Sequence, residues 1–385
     1  MARQQTYLTT SGAKQTPDRV SAIDGLRAVA SFAVILGHVY LSFYQSGITP
    51  PRWMDAMSPF GGIGVSLFLI LSGFCISHLY VGKSRQVFVW GMFVERRVVR
   101  IVPAYFVALA AVFTWIIYSG KKLDLFDVLT HLTLTHNFFP SYSISYGPYW
   151  TVALEMQLYL LFAIAMVLSR WVSKRTLFCL GISLWLGWRL LAIGIFGTGF
   201  VPATFSFTFS AFGRLLEFLV GVMIAYRWDR ITKSNRLVKY QHFIAGFAAI
   251  LILACMAIGS KIGATNPIKD VMLTAGLAMF FVLAIIPRTA ISKMLSSTKL
   301  TRVGEATYSV YLFHALVIEM MANAFIKFVP RHGELVYLIA TASICVLAGY
   351  VAYLVIEKPV MTWAKSWHKR PRSKVISTPA MDRTL

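Results

Sequence analysis

The chain has 385 residues, of which 57% are hydrophobic and only 14% charged. A soluble domain carries about 25% charged residues, so a soluble globule is excluded unless nearly all of it is core. The net charge of +22 would by itself suit nucleic acid. The basic residues, however, fall between apolar runs, the pattern of basic loops beside a lipid bilayer, so no nucleic-acid partner is expected.

Residues 1–21 are polar and mildly basic. No apolar core with a small-residue cleavage site precedes residue 22, so no cleaved signal peptide is expected. Ten runs long enough to cross a bilayer follow, over roughly 22–43, 60–80, 98–118, 149–169, 176–197, 205–226, 241–259, 268–287, 306–327 and 334–356. The fold class is therefore all-α, a polytopic membrane protein of about ten transmembrane helices. A cytoplasmic segment (1–21), a transmembrane domain (22–360) and a basic cytoplasmic tail (361–385) divide the chain. The stretch 124–146, with His131, His136 and Pro140, is only moderately apolar and reads as an external, partly re-entrant loop.

Orientation follows from the basic residues. With the N-terminus inside, the inner segments hold 27 Lys and Arg, the outer loops 7, and three (Arg27, Arg189, Arg214) lie within spans. That bias puts both termini in the cytoplasm. The four cysteines sit singly in apolar runs with no CxxC pair, so neither a metal nor a disulfide framework is expected.

An ionisable residue at mid-membrane costs about 2.5–3.5 kcal/mol on insertion scales and needs a reason. Arg27 and His38 are eleven residues apart, about 1100° of helix, so they share one face about 16 Å apart. Taken singly, Arg27 fits a snorkelling interfacial arginine and His38 a helix–helix hydrogen bonder; their common face argues that the helix lines a path. Ser21 and Asp24 fit a capping box that starts it. In "YWTVALEMQLYLLF", Glu155 and Tyr159 are i,i+4 neighbours. Arg214 and Glu217 stand at i,i+3 in "FGRLLEFLVG", a pairing that could simply fix packing. Arg96, Arg97 and Arg100 in "ERRVVRIVP" gather at the inner entrance of the third span, and "GEATYSVYLFH" carries Tyr308 and His314. By chain position, Arg27, Arg100, Arg214, Glu217 and His314 form an inner level, and His38 and Glu155 an outer one. Inner cations suit a polyanionic ligand; a histidine beside a carboxylate suits general-base chemistry on a hydroxyl. "GGIGVSLFLILSGF" suits close helix packing.

Taken together and in order, "IDGLRAVASFAVILGH", "GGIGVSLFLILSGF", "RRVVRIVP", "YWTVALEMQLYLL", "GRLLEFLVG", "GEATYSVYLFH" and "IEKP" resemble the acyltransferase 3 family of integral membrane O-acyltransferases. The resemblance covers about residues 22–360. It implies a bacterial inner-membrane enzyme that moves an acyl group, usually acetyl from cytoplasmic acetyl-CoA, to a hydroxyl of a polysaccharide, lipopolysaccharide or other glycoconjugate. It also implies His38 as base or transient acyl carrier, Glu155 as its partner, and Arg27, Arg96, Arg97, Arg100 and Arg214 as donor contacts. Glu217, Tyr308 and His314 support them, and no metal is implied. Mild departures are Leu69, Thr307 and Phe313 where the family often has Phe, Ser and Trp; none removes an ionisable group. A lipid-linked sugar transporter is the alternative, for which ten spans and intramembrane charge would also serve; the absence of similarity between the two halves speaks against it.

Overall fold

The computed structural model describes residues 21–80, 88–139, 147–198, 204–262, 265–325, 328 and 333–369. Residues 1–20, the middle of the aromatic-rich loop (140–146) and the tail beyond 369 lie outside the described residues. Helices α1 (Ser21–Gln45), α2 (Phe60–His78) and α3 (Trp90–Tyr118) come first, then α4 (Leu125–Leu132), α5 (Trp150–Leu168) and α6 (Lys174–Phe196). They are followed by α7 (Thr204–Thr208), α8 (Leu215–Tyr226), α9 (Trp228–Thr232), α10 (Asn235–Lys239), α11 (Gln241–Ile262) and α12 (Pro267–Ile285). The chain continues through α13 (Ala290–Leu295), α14 (Thr298–Glu305), α15 (Thr307–Phe325), α16 (Glu334–Ala352), a π turn (Tyr353–Glu357) and α17 (Lys358–Lys369). Among the described residues there is no strand, and nine helices are long and apolar enough to cross a membrane.

Local chemistry sets several boundaries. Ser173 Oγ accepts from Thr176 N at 3.1 Å to open α6. Asn266 Oδ1 accepts from Ile268 N at 2.9 Å, and Pro267 takes the first position of α12, where its missing N–H costs nothing. The third span begins eight residues before its expected start, so the arginines of "ERRVVRIVP" ride on α3 rather than at its entrance.

The sixth span corrects the expectation of a continuous helix over 205–226. It is broken into α7 and α8, only five and twelve residues long. At the break, Ser210 Oγ donates to the Phe207 carbonyl at 3.3 Å and accepts from Gly213 N at 3.3 Å. The Phe207 carbonyl also takes the Trp188 indole N–H at 3.0 Å. A broken helix at membrane depth persists only when its freed backbone groups are satisfied in this way.

The centre of the bundle is α2, packed along both α1 and α8. Contact with α8 is so close that a Cβ on Gly73 would strike the Phe218 carbonyl oxygen, which is the close packing expected of the glycine-rich segment. On the other side of α1, Gly304 at the end of α14 lies against the Asp24 carbonyl, again with no room for a Cβ. That contact fixes the α14–α15 junction one turn from Arg27. Outside the spans, α4 buries His131, whose ring stacks on that of buried His136 at 3.9 Å and 8°.

Candidate active site

A cavity of about 140 Å³ opens between α1, α2, α3, α5 and α15. Arg27, Arg97 and Arg100 line it, and so do Glu155, Glu305 and Glu357. The arginines are not equivalent. Arg27 donates to Asp24 Oδ1 at 2.8 Å and to Cys75 Sγ at 3.3 Å. Arg97 lies over the Tyr159 and Phe93 rings, 5.5 and 5.8 Å from their centroids. Its Nε is buried without a hydrogen-bond partner among the described residues. Arg100 likewise has no carboxylate within ion-pair reach among the described residues. Arg97 and Arg100 therefore keep fork-shaped donors spare for an anionic ligand.

Glu155 accepts from Ser72 Oγ at 2.9 Å and from its own helix neighbour Tyr159 OH. Nothing among the described residues joins it to His38. The neighbour of His38 is His314, with ring centroids 5.0 Å apart and planes at 75°. His38 Nδ1 donates to the Val34 carbonyl at 2.9 Å, and His314 Nδ1 to the Tyr311 carbonyl at 2.6 Å. A carbonyl only accepts, so each neutral ring carries its proton on Nδ1 and its lone pair on Nε2. His314 is fully buried, and its Nε2 has no hydrogen-bond partner among the described residues.

The two expected levels thus exchange a member: His314 joins His38, and Glu155 joins the arginines. The cause lies where the helices start. Pro148 and Tyr149 are buried just before α5, and Tyr149 OH donates to the Leu312 carbonyl at 2.9 Å. Thr151 Oγ1 donates to Tyr311 OH at 2.6 Å, and Tyr311 OH to the Pro148 carbonyl at 3.1 Å. The start of α5 is therefore already level with residues 311–312, and Glu155 lies a turn beyond, near Tyr308. Tyr308 OH donates to the Ile101 carbonyl at 2.8 Å and ties α15 to α3. Tyr311 is the partition. Its ring borders Phe68 at 5.7 Å and His314 at 5.3 Å, so it separates the arginine cavity from the histidine pair.

Two further residues fall elsewhere than expected. Arg96 is exposed, because one residue along a helix is a 100° turn away from Arg97. Arg214 is held outside the cavity by the break before α8. It donates to Glu217 Oε1 at 2.8 Å and covers the Phe209 ring at 5.6 Å. Glu217 also accepts from Ser66 Oγ at 3.4 Å. Beside Glu305, Glu357 is a member that the sequence reading missed. It is buried in the π turn, accepts from Ser309 Oγ at 2.7 Å and lines the cavity. Its only sequence signal is an acid at the end of an apolar run, in "IEKP".

The sequence profile of an acyltransferase domain matches residues 20–355. The chain belongs to the acyltransferase 3 family. Among its relatives in that family is a provisionally named O-acetyltransferase of Staphylococcus aureus (strain COL), 26% identical over 88% of this chain and 57% of its own length. Another is the peptidoglycan O-acetyltransferase OatA of Listeria monocytogenes, 24% identical over 78% of this chain and 50% of its own. The O-acetyltransferase OatA of S. aureus (strain NCTC 8325) is 23% identical over 90% and 58%. The chain thus spans 50–58% of the length of these acyltransferase 3 relatives. No solved structure matches it.

Proposed function

We propose that the protein is a membrane O-acyltransferase of the bacterial inner membrane, carrying an acyl group, acetyl in the simplest case, from cytoplasmic acyl-CoA to a hydroxyl of a polysaccharide, lipopolysaccharide or other glycoconjugate. One observation carries the reading: two imidazoles, each with its Nε2 lone pair directed away from its own helix, stand one aromatic layer beyond a cavity with spare arginine donors. The O-acetyltransferase names of the relatives support it.

In this reading Arg97 and Arg100 hold donor phosphates, with Arg27 oriented by Asp24. The acceptor hydroxyl meets half-buried His38. Its Nε2 takes the hydroxyl proton, the oxygen bonds to the acyl carbon, and the C–S bond breaks. The leaving thiolate then receives that proton. His314, also bearing a lone pair, takes the place of Glu155 as the partner of the imidazolium formed on His38. Glu155 instead orients Tyr159 and Ser72 at the donor end.

The test is CoA release coupled to acceptor acylation by purified, folded protein. His38→Ala is expected to lower kcat by about 100-fold or more. Arg97→Gln is expected to raise KM for acyl-CoA with a smaller effect on kcat. Near-wild-type transfer by His38→Ala would overturn the assignment, and a protein that moves a glycan without consuming any thioester would be a transporter.

A further inference from the structure

A second cavity lies on the far side of α5 and is independent of the catalytic reading. Helices α5 and α6 are joined by only five residues, 169–173. Consecutive helices on so short a link normally pack together, yet these two barely touch. They splay apart over α8, against which α6 rests at Gly181 and Leu219. The gap is a groove of about 810 Å³. Its walls are aliphatic and aromatic side chains, and at one end stand Lys174, Arg175 and Arg227, with no carboxylate in the lining. The arginine cavity, by contrast, balances three arginines with three glutamates. Lys174 Nζ sits 5.2 Å from the Tyr226 ring centroid, so the cationic end links the start of α6 to the end of α8.

We infer that this groove holds one anionic phospholipid, with its acyl chains between α5, α6 and α8 and its phosphate at Lys174, Arg175 and Arg227. Any apolar groove in a bilayer fills with hydrocarbon. What singles out this one is a closed set of three like charges at one end, which a zwitterionic lipid does not neutralise and an anionic one does. By the positive-inside bias these three residues lie at the cytoplasmic leaflet.

Cys179 lines the groove and is exposed, whereas Cys255 and Cys345 are buried. It is therefore a reporter already in place. In a Cys75→Ser background, the protein is reconstituted in nanodiscs of phosphatidylcholine, with or without phosphatidylglycerol of the same chain length. Labelling of Cys179 by an uncharged apolar maleimide is then followed. Phosphatidylglycerol is expected to slow labelling by at least about threefold, as a site two-thirds occupied would. Replacement of Lys174, Arg175 and Arg227 by Gln is expected to abolish the difference. Native mass spectrometry of the unmodified protein is expected to show one retained phosphatidylglycerol. Equal labelling rates in both discs, or an unchanged difference in the triple variant, would overturn the inference and leave ordinary annular lipid.

Discussion

The position of a single proton decides much of the chemistry assigned to His38 and His314. Both rings give their Nδ1–H to a carbonyl of their own helix, so a glutamine that mimics only one ring nitrogen is not equivalent. His314→Gln should keep the fold and lower kcat while leaving KM for acyl-CoA within about twofold, because Tyr311 separates His314 from the arginine cavity. Glu155→Gln should do the reverse, raising KM more than it lowers kcat. Steady-state kinetics on the two variants separate these roles. A different pair of histidines sets the response to acid. Burial holds His131 down to about 4 and His136 down to about 3; the neighbouring His131 adds to the latter. Below pH 6.5 the unfolded chain binds protons that the fold refuses, so stability rises with pH between about 4 and 6.5 and is lost on acidification. Each ring adds a slope of about 1.4 kcal/mol per pH unit over that window. The Asp127 carbonyl, which accepts from His131 Nδ1 at 2.8 Å, offsets part of it. Thermal unfolding in detergent from pH 7 to 4 should show this limb, and His136→Phe should flatten it.

At the level of elements, a buried ion pair ties the peripheral α6 to α12. Arg189 Nη2 lies 2.6 Å from Asp270 Oδ2, and both side chains are buried. Removing one partner leaves an uncompensated charge, so Arg189→Leu should cost about 3–5 kcal/mol, and Arg189→Leu with Asp270→Leu should recover most of it. Gly73→Ala, which forces α2 from α8, should cost about 1–3 kcal/mol in the same unfolding assay. How much of this was legible varies by element. The long spans were, because twenty apolar residues admit little else. The break at 209–214 was not: "FSAFGR" contains no proline, and its signal lies in the Trp188 and Ser210 hydrogen bonds that make a gap tolerable. The depth of Glu155 was misread for a related reason. Counting inward from a common membrane plane assumes that every helix starts at that plane, and α5 starts just after Tyr149, which is already buried against Leu312. The composition of the arginine cavity was legible in Arg27, Arg97 and Arg100 because charge in a span always needs a cause. Glu357 and the partition at Tyr311 were not, since they depend on which helices meet.

At the scale of the whole molecule, the broken sixth segment and the nine long helices together give an even number of crossings among the described residues, the number that both ends on one side would require. A reporter that matures only in the cytoplasm should fluoresce when fused either before residue 21 or after residue 369. The basic face also bears on the donor. At about 0.1 M salt, fields decay over about 10 Å, so KM for a polyanionic acyl-CoA should rise with ionic strength while kcat stays level. The far end of the chain carries a different kind of sensitivity. A π turn holds one residue more than an α turn, and Tyr353–Glu357 ends such a turn on the acid that faces the arginines. Winding this turn as ordinary α-helix with no residue removed would put Glu357 one residue step, about 100°, out of phase with α16. The exposed amphipathic α17 would turn with it. The cavity would then lose a negative charge with every functional side chain unaltered, through a change in the pitch of one turn rather than in any residue.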